Sequence, residues 1–208
     1  MDEKLKNILI KARDVSFTYG IRSMSMNDIS RKLGISKSTL YKYVKNKTDL
    51  VEKVMEYERE GFKRIFLDYD FEGVNAIDIL LIVSKEVSKN FADVNPSITF
   101  DLKKYYPNLY QRHIDERTNF IFEKIKINLQ KGISQGMYRE DLSVELAARL
   151  YISRLLDLHN EDLFPPDKFS FQTLFNFMFE SWIRGIARPE GVKYFEERFE
   201  KEKKQLDL

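Results

Sequence analysis

MNDISRKLGISKSTLYKYVKNKT, residues Met26 to Thr48, decides how the rest of the chain is read. Met26, Ile29 and Leu33 recur at spacings of three and four, which gives this opening stretch one apolar helical face. Ser25 stands where a helix N-cap is expected, and Asp28 three residues later fits a capping box. Gly34 follows the last apolar position, where a left-handed backbone ends a helix at least steric cost. Ile35 can fill the angle beyond the turn, and Ser36 can cap a second short helix. Leu40 and Val44 turn inward, leaving Lys37, Ser38, Thr39, Tyr41, Lys42 and Tyr43 to point elsewhere. Asn46 with Asp49 repeats the capping logic for the helix that follows. Two short helices about a glycine turn make a helix-turn-helix, a unit that sets its second helix in a DNA major groove.

The charge distribution agrees. Residues 1–50 carry eight Lys and three Arg against five Asp or Glu, a net of +6, whereas the whole chain is +2. The remainder is therefore at −4. No acidic residue lies between Asp28 and Asp49, while Arg31, Lys32, Lys37, Lys42, Lys45 and Lys47 all do. Scattered lysines usually mean a solvated face. Concentrated on a helix-turn-helix, they match the footprint of a phosphate backbone.

Residues 5 to 55 resemble the N-terminal domain of the TetR family of bacterial transcriptional regulators. An amphipathic helix opens the segment, with Leu5, Ile8, Leu9, Ala12, Val15 and Tyr19 along one side. Phe17 and the Tyr19–Gly20 pair match the aromatic and glycine that close that helix in the family. Ser25–Met26, Ile29, Leu33–Gly34–Ile35–Ser36, Thr39–Leu40–Tyr41 and Lys47 with Leu50 follow at the family spacing without a gap. Ser38 replaces a common small residue, and Tyr43–Val44 replaces a common histidine–phenylalanine, departures that bear on sequence preference. The resemblance implies that Ser25, Tyr41, Tyr43 and Lys47 meet phosphates, with helix N-termini favouring the anion. It also implies that Lys37, Ser38 and Thr39 approach base edges, where lysine can donate to guanine and the threonine methyl can touch thymine. Ser36 and Lys42 complete the expected DNA-binding set.

The length of 208 residues suits a small domain joined to a larger one, here 1–50 for DNA binding and 51–208 for the rest. Hydrophobic content of 43% permits a full core, and the absence of cysteine excludes disulfides and thiolate metal sites. The start MDEKLKNILIKARD is too charged for a secretory signal, and the longest apolar run, Ile79 to Val83, is too short for a membrane span. A cytoplasmic location without membrane contact is the expectation.

The remaining chain reads as helical throughout, an all-α fold with a long fourth helix from Asn46 to about Leu67 linking the two parts. Asp68 to Asn75, with Gly73, is the expected loop, and Asn75 with Asp78 should cap a helix running to about Asp93. Asn95–Pro96 breaks it, and a short helix through Leu102 and Tyr105 stops before Pro107. Pro107 can open a long helix ending near Gly136. Val144–Leu158 and Ser170–Ala187 are apolar on more than one face and so must be covered on more than one face. In the family, two such helices pair with their copies. The resemblance thus implies a homodimer, with Leu150, Ile152, Leu156, Phe175, Phe179 and Trp182 at the interface. The tail from Phe195, rich in Lys and Glu, is expected to be a solvated helix.

Sixteen Phe and eleven Tyr raise the question of a ligand. Phe66, Phe100, Tyr105, Tyr106, Tyr110 and Phe122 can approach one another, and an aromatic-lined cavity would hold a small apolar or aromatic effector. Core packing is the alternative for each. Enzyme chemistry finds little support. Two histidines, His113 and His159, with no cysteine make no zinc set, and His113 beside Asp115 and Glu116 reads as a solvated helix face. No glycine-rich phosphate loop occurs, and no cofactor or metal is expected. The leading expectation is a dimeric repressor that binds a double-stranded operator with inverted half-sites and is released by an effector. A protein-binding coactivator of the same fold is the alternative.

Overall fold

The computed structural model describes residues 2–23, 25–91, 97–158, 160 and 162–206. Among these residues the chain is all-α, with ten helices. They are α1 (Glu3–Tyr19), α2 (Met26–Leu33), α3 (Lys37–Tyr41), α4 (Lys47–Asp68), α5 (Ala76–Phe91), α6 (Ser97–Tyr105), α7 (Pro107–Ser134), α8 (Val144–Asp157), α9 (Phe171–Ile186) and α10 (Pro189–Leu206). The expected break at Asn95–Pro96 lies outside the described residues.

By packing, the chain divides into Met1–Asp68 with Asp93–Arg117, and Tyr69–Ala92 with Thr118–Leu208. This partition by contact differs from the division of roles after residue 50. It joins α4, α6 and the opening of α7 to the N-terminal helices.

In the first unit, α1 packs against both α2 and α4, and α2 against α3. Leu9, Ala12, Ile29, Leu33, Leu40 and Val54 are buried in one core, which Ile98, Leu102 and Leu109 of α6 and α7 also enter. Burying a large aliphatic side chain contributes about 1.5–3 kcal/mol, so this core holds the short α2 and α3 that propensity alone could not.

The second unit is knitted by polar contacts onto the start of α5. Asn128 Nδ2 donates to the Ala76 carbonyl at 2.8 Å, and the Ala76 N–H donates to Gln135 Oε1 at 2.8 Å. Asn75 caps α5 as expected, accepting from the Ile77 N–H. Asp78 does not. Its carboxylate instead accepts from the Tyr194 hydroxyl and from Arg198 Nε, each at 2.7 Å, because α10 returns to cover this end of α5. For the same reason the tail from Phe195 is not wholly solvated: Phe195 is fully buried, its ring 6.5 Å from Phe179 and 5.2 Å from Phe199.

Tyr138 is also fully buried, and its hydroxyl donates to Asn128 Oδ1 at 3.1 Å. Gly132 lies against it, so closely that a Cβ there would overlap the Tyr138 ring. Gly132→Ala should therefore lower unfolding stability by about 1–3 kcal/mol through overpacking. Gly185→Ala is the control, since its Cβ would meet nothing within 4 Å. Denaturant midpoints test this, and an unchanged midpoint for Gly132→Ala would show that the ring is not locked.

Candidate nucleic-acid interface

The turn between α2 and α3 is built locally. Gly34 has φ 69, the left-handed conformation that glycine adopts without a Cβ clash. Its N–H donates to the Arg31 carbonyl, and the Ile35 N–H reaches back to the Ser30 carbonyl at 3.0 Å, a Schellman closure. Ser36 then caps α3: its Oγ accepts the Thr39 N–H at 3.0 Å and lies 2.8 Å from the hydroxyls of both Ser38 and Thr39. Fully buried Leu40 and buried Val44 anchor this five-residue helix from within.

That anchoring decides what faces out. Lys37, Ser38, Tyr41 and Lys42 are exposed, as is Ser36, while Thr39 is half-buried. The Lys37 ammonium stands 5.9 Å from the centre of the Tyr41 ring. Tyr43 departs from this set, because its ring packs against the core of the unit. Lys47, at the start of α4, is half-buried, and its Nζ donates to the Arg22 carbonyl at 3.2 Å. Burial pulls the Lys47 ammonium below its ordinary range, and the charge of Asp101 opposes that.

Ser25 caps α2 in a full capping box. Its Oγ accepts the Asp28 N–H at 3.2 Å and stands 2.6 Å from Asp28 Oδ2, with the hydroxyl donating. The Ser25 hydroxyl is thus engaged with Asp28, and a phosphate would have to compete for it. The Ser25 side chain and N–H, and then Arg31, hold the Asp28 carboxyl below the usual carboxylate range. At neutral pH a negative charge therefore sits at this helix start, partly answered by Arg31 at 2.9 Å.

The α3–α4 turn is fixed in the same way. Asn46 Oδ1 accepts the Asp49 N–H at 2.9 Å, and Asp49 Oδ2 accepts the Lys45 N–H at 2.8 Å. The hydrogen bond from Lys53 Nζ to Asp49 Oδ1 is the main reason that the Asp49 carboxyl is held low. This acid is neutralised within α4 and does not offset the lysines of α3.

Lys32 and Arg22 belong to this region and were not among the expected contacts. The Lys32 ammonium lies 4.1 Å from the centre of the exposed Tyr19 ring. The acid-free run from Asp28 to Asp49 already contained the signal for Lys32. Nothing in the sequence pointed to Arg22.

Of the expected effector residues, two are exposed and four are half-buried. Phe100 and Tyr105 are exposed, with the Lys104 ammonium 5.3 and 5.7 Å from their ring centres. The reason is geometric: α6 has one apolar face, and Ile98 and Leu102 take it into the core. Tyr106 and Tyr110 pack on that core, and Phe66 rests edge-on against Phe62 at 6.0 Å. Phe122 belongs to the second unit, where Lys126 and Arg149 lie about its ring at 5.0 and 5.1 Å.

The expected interface residues divide as well. Phe175, Phe179 and Trp182 are buried by their own chain, with Tyr151 4.6 Å from Trp182 ring to ring. They belong to the core, since α8 and α10 already cover them. Leu150 and Leu156 are exposed, and Ile152 is half-buried. Leu146 of α8 and Phe177 of α9, not expected, are exposed apolar side chains too.

His113 is not on a solvated face. It is half-buried with Nδ1 3.4 Å from an Arg59 guanidinium nitrogen, and burial, then Arg117 and Arg59, push it down to about 4. It is a neutral interior imidazole at physiological pH. Among the described residues no helix is long and apolar enough to cross a membrane.

Comparison with known proteins places this architecture. The family described as "Bacterial regulatory proteins, tetR family" matches residues 8–54, which run from within α1 into the first half of α4. The chain is 24% identical over 185 residues to a fatty acid metabolism regulator protein of Bacillus subtilis, covering 88% of this chain and 95% of that one. It is 30% identical over 158 residues to an HTH-type transcriptional regulator of Staphylococcus aureus, covering 69% and 85%. The solved structure of the fatty acid degradation regulator FadR from Bacillus halodurans superimposes with TM-score 0.68 at 18% identity, over 90% of this chain and 99% of that one. A capped helix-turn-helix in a chain that is all-α over its described residues, matched in sequence and in fold, makes this protein a member of the TetR family of transcriptional regulators.

Proposed function

We propose that the chain is a dimeric repressor that binds a double-stranded operator with inverted half-sites in the cytoplasm and leaves it when a small apolar or aromatic effector binds. The observation that carries this reading is the outward face of α3. Lys37, Ser38, Tyr41 and Lys42 are all exposed there while Leu40 is fully buried beneath them. A surface with no acid and several donors is suited to a phosphate backbone and to base edges, and to little else.

Lys37 and Tyr41 have separable roles in this reading. Lys37→Ala should cost about 1–3 kcal/mol on the preferred site and relax the preference at one position. Tyr41→Phe should weaken all sequences alike and leave unfolding unchanged. Selection of bound sequences from random DNA supplies the site, and titrations on matched and mismatched duplexes separate the two variants. Equal, sequence-independent losses would reduce Lys37 to a phosphate contact. If the selection yields no preferred sequence, the coactivator reading replaces this one.

The effector arm rests on the family and on the aromatic content. Because relatives of this chain are named for fatty acid regulation, fatty acyl compounds stand first in a panel that also holds aromatic acids and hydrocarbons. Linkage requires operator to weaken effector binding by the factor that effector weakens operator binding. Thermal stabilisation by each compound, with and without operator, measures both. A compound that binds free and operator-bound protein equally is no inducer.

A further inference from the structure

Ser30, Asp101 and Asn128 are buried polar residues, and of these Asp101 alone can carry a charge. It lies on α6, outside the helix-turn-helix in sequence and inside its compact unit. Its Oδ2 accepts the Arg22 N–H at 2.9 Å across 79 residues of chain. The carbonyl of the same Arg22 accepts Lys47 Nζ at 3.2 Å. The Arg22 guanidinium lies 5.2 Å from the centre of the Tyr105 ring, at the end of α6. One residue of the α1–α2 loop is thus held at its N–H by α6, at its carbonyl by α4 and at its side chain by α6 again.

The placement matters because both ends of the reading unit converge here. Arg22 stands three residues before Ser25, the N-cap of α2, and Lys47 is the first residue of α4, directly after the α3–α4 turn. A bare acceptor for the Arg22 N–H needs no charge; an asparagine oxygen would serve. Burying a carboxylate costs several kcal/mol unless a cation or hydrogen bonds answer it. The half-buried ammonium of Lys47 feels this carboxylate as a favourable charge against its own desolvation. The buried Asp101 charge is therefore matched to a lysine on the DNA-binding face.

We propose that Asp101 is a positioning residue for DNA binding: from α6 it fixes the α1–α2 loop and, through Arg22, holds the Lys47 ammonium in place for a backbone phosphate. The proposal rests on the DNA-binding reading above and adds α6 to the machinery that sets operator affinity. Asp101 itself touches no DNA in this scheme. Its effect passes through Arg22 and Lys47.

The test uses the full chain with Asp101→Asn, Lys47→Ala and the double variant, titrated on the selected operator over a range of salt. Asp101→Asn keeps an acceptor for the Arg22 N–H and removes the charge. The expected loss is about tenfold, the scale of one charge-assisted hydrogen bond. The salt slope should fall by about one per subunit as Lys47 leaves its phosphate. The double variant should bind no worse than Lys47→Ala alone, because both changes remove one function. A second signature is spectroscopic: burial and then the Asp101 charge raise the Tyr106 phenol, so its absorbance titration should shift down in Asp101→Asn. Wild-type affinity and salt slope in Asp101→Asn, or losses that add fully in the double variant, would overturn the proposal. Should Asp101→Asn fail to fold, hydrogen exchange at the Arg22 amide of the wild-type chain decides, since rapid exchange there overturns it. Wild-type protein that prefers no DNA sequence overturns instead the reading beneath it.

Discussion

Raising salt from about 50 to about 200 mM should lower operator affinity by about three orders of magnitude. In the proposed dimer, Lys32, Lys42 and Lys47 of each subunit would supply about six phosphate contacts, each releasing close to one condensed counterion, for a log–log slope near −5. The acids nearby do not cancel this. Asp49 is tied to Lys53, and Asp28 to Ser25 and Arg31, so the net charge of residues 1–50 remains on the outward lysines. Fluorescence anisotropy with a labelled duplex measures the slope. A loss under tenfold over that range would mean that the α3 face is not the binding surface. A steep slope identical on every sequence would leave phosphate contact and remove operator specificity.

The helix-turn-helix was legible because all its determinants are local. Ser25 with Asp28, Gly34, Ser36 with Thr39, and Asn46 with Asp49 act over two to four residues, and each behaves as its residue type requires. The apolar spacing likewise identified the buried side of α1 and α2, except at Tyr19, which ends α1 exposed. What the sequence could not convey is which element covers a given apolar side chain. Phe175, Phe179 and Trp182 lie on an apolar stripe that suits a dimer seam, but Phe195 of α10 and Tyr151 of α8 meet it within the chain. Phe100 and Tyr105 suit a ligand wall by composition, yet α6 spends its single apolar face on Ile98 and Leu102. Asp101 reads as one more helical acid until the fold brings it to Arg22. Local chemistry is written in short segments; long-range partners are chosen by packing.

The same distinction predicts where a second copy would bind in the proposed dimer. Leu146 and Leu150 are one helical turn apart on α8, and Phe177 stands on α9; all three are large, apolar and exposed. If α8 and α9 pair with their copies, these side chains form the seam, and Phe175, Phe179 and Trp182 only support it from behind. The double variant Leu150→Glu/Phe177→Glu should therefore be monomeric at micromolar concentration, because its seam would bury carboxylates without partners. Its unfolding midpoint should stay close to that of the subunit, since exposed substitutions change stability by about 0.5 kcal/mol or less. Operator binding should nevertheless weaken by about 10²–10⁴, the advantage that linking two half-site contacts confers. Phe175→Glu gives the opposite pattern, loss of folding, because that ring is buried in the chain itself. Sedimentation velocity, thermal melts and operator titrations on one set of samples separate these outcomes. A double variant that remains dimeric would move the seam elsewhere, and one that is monomeric yet binds the full operator at wild-type affinity would remove dimerisation from DNA recognition.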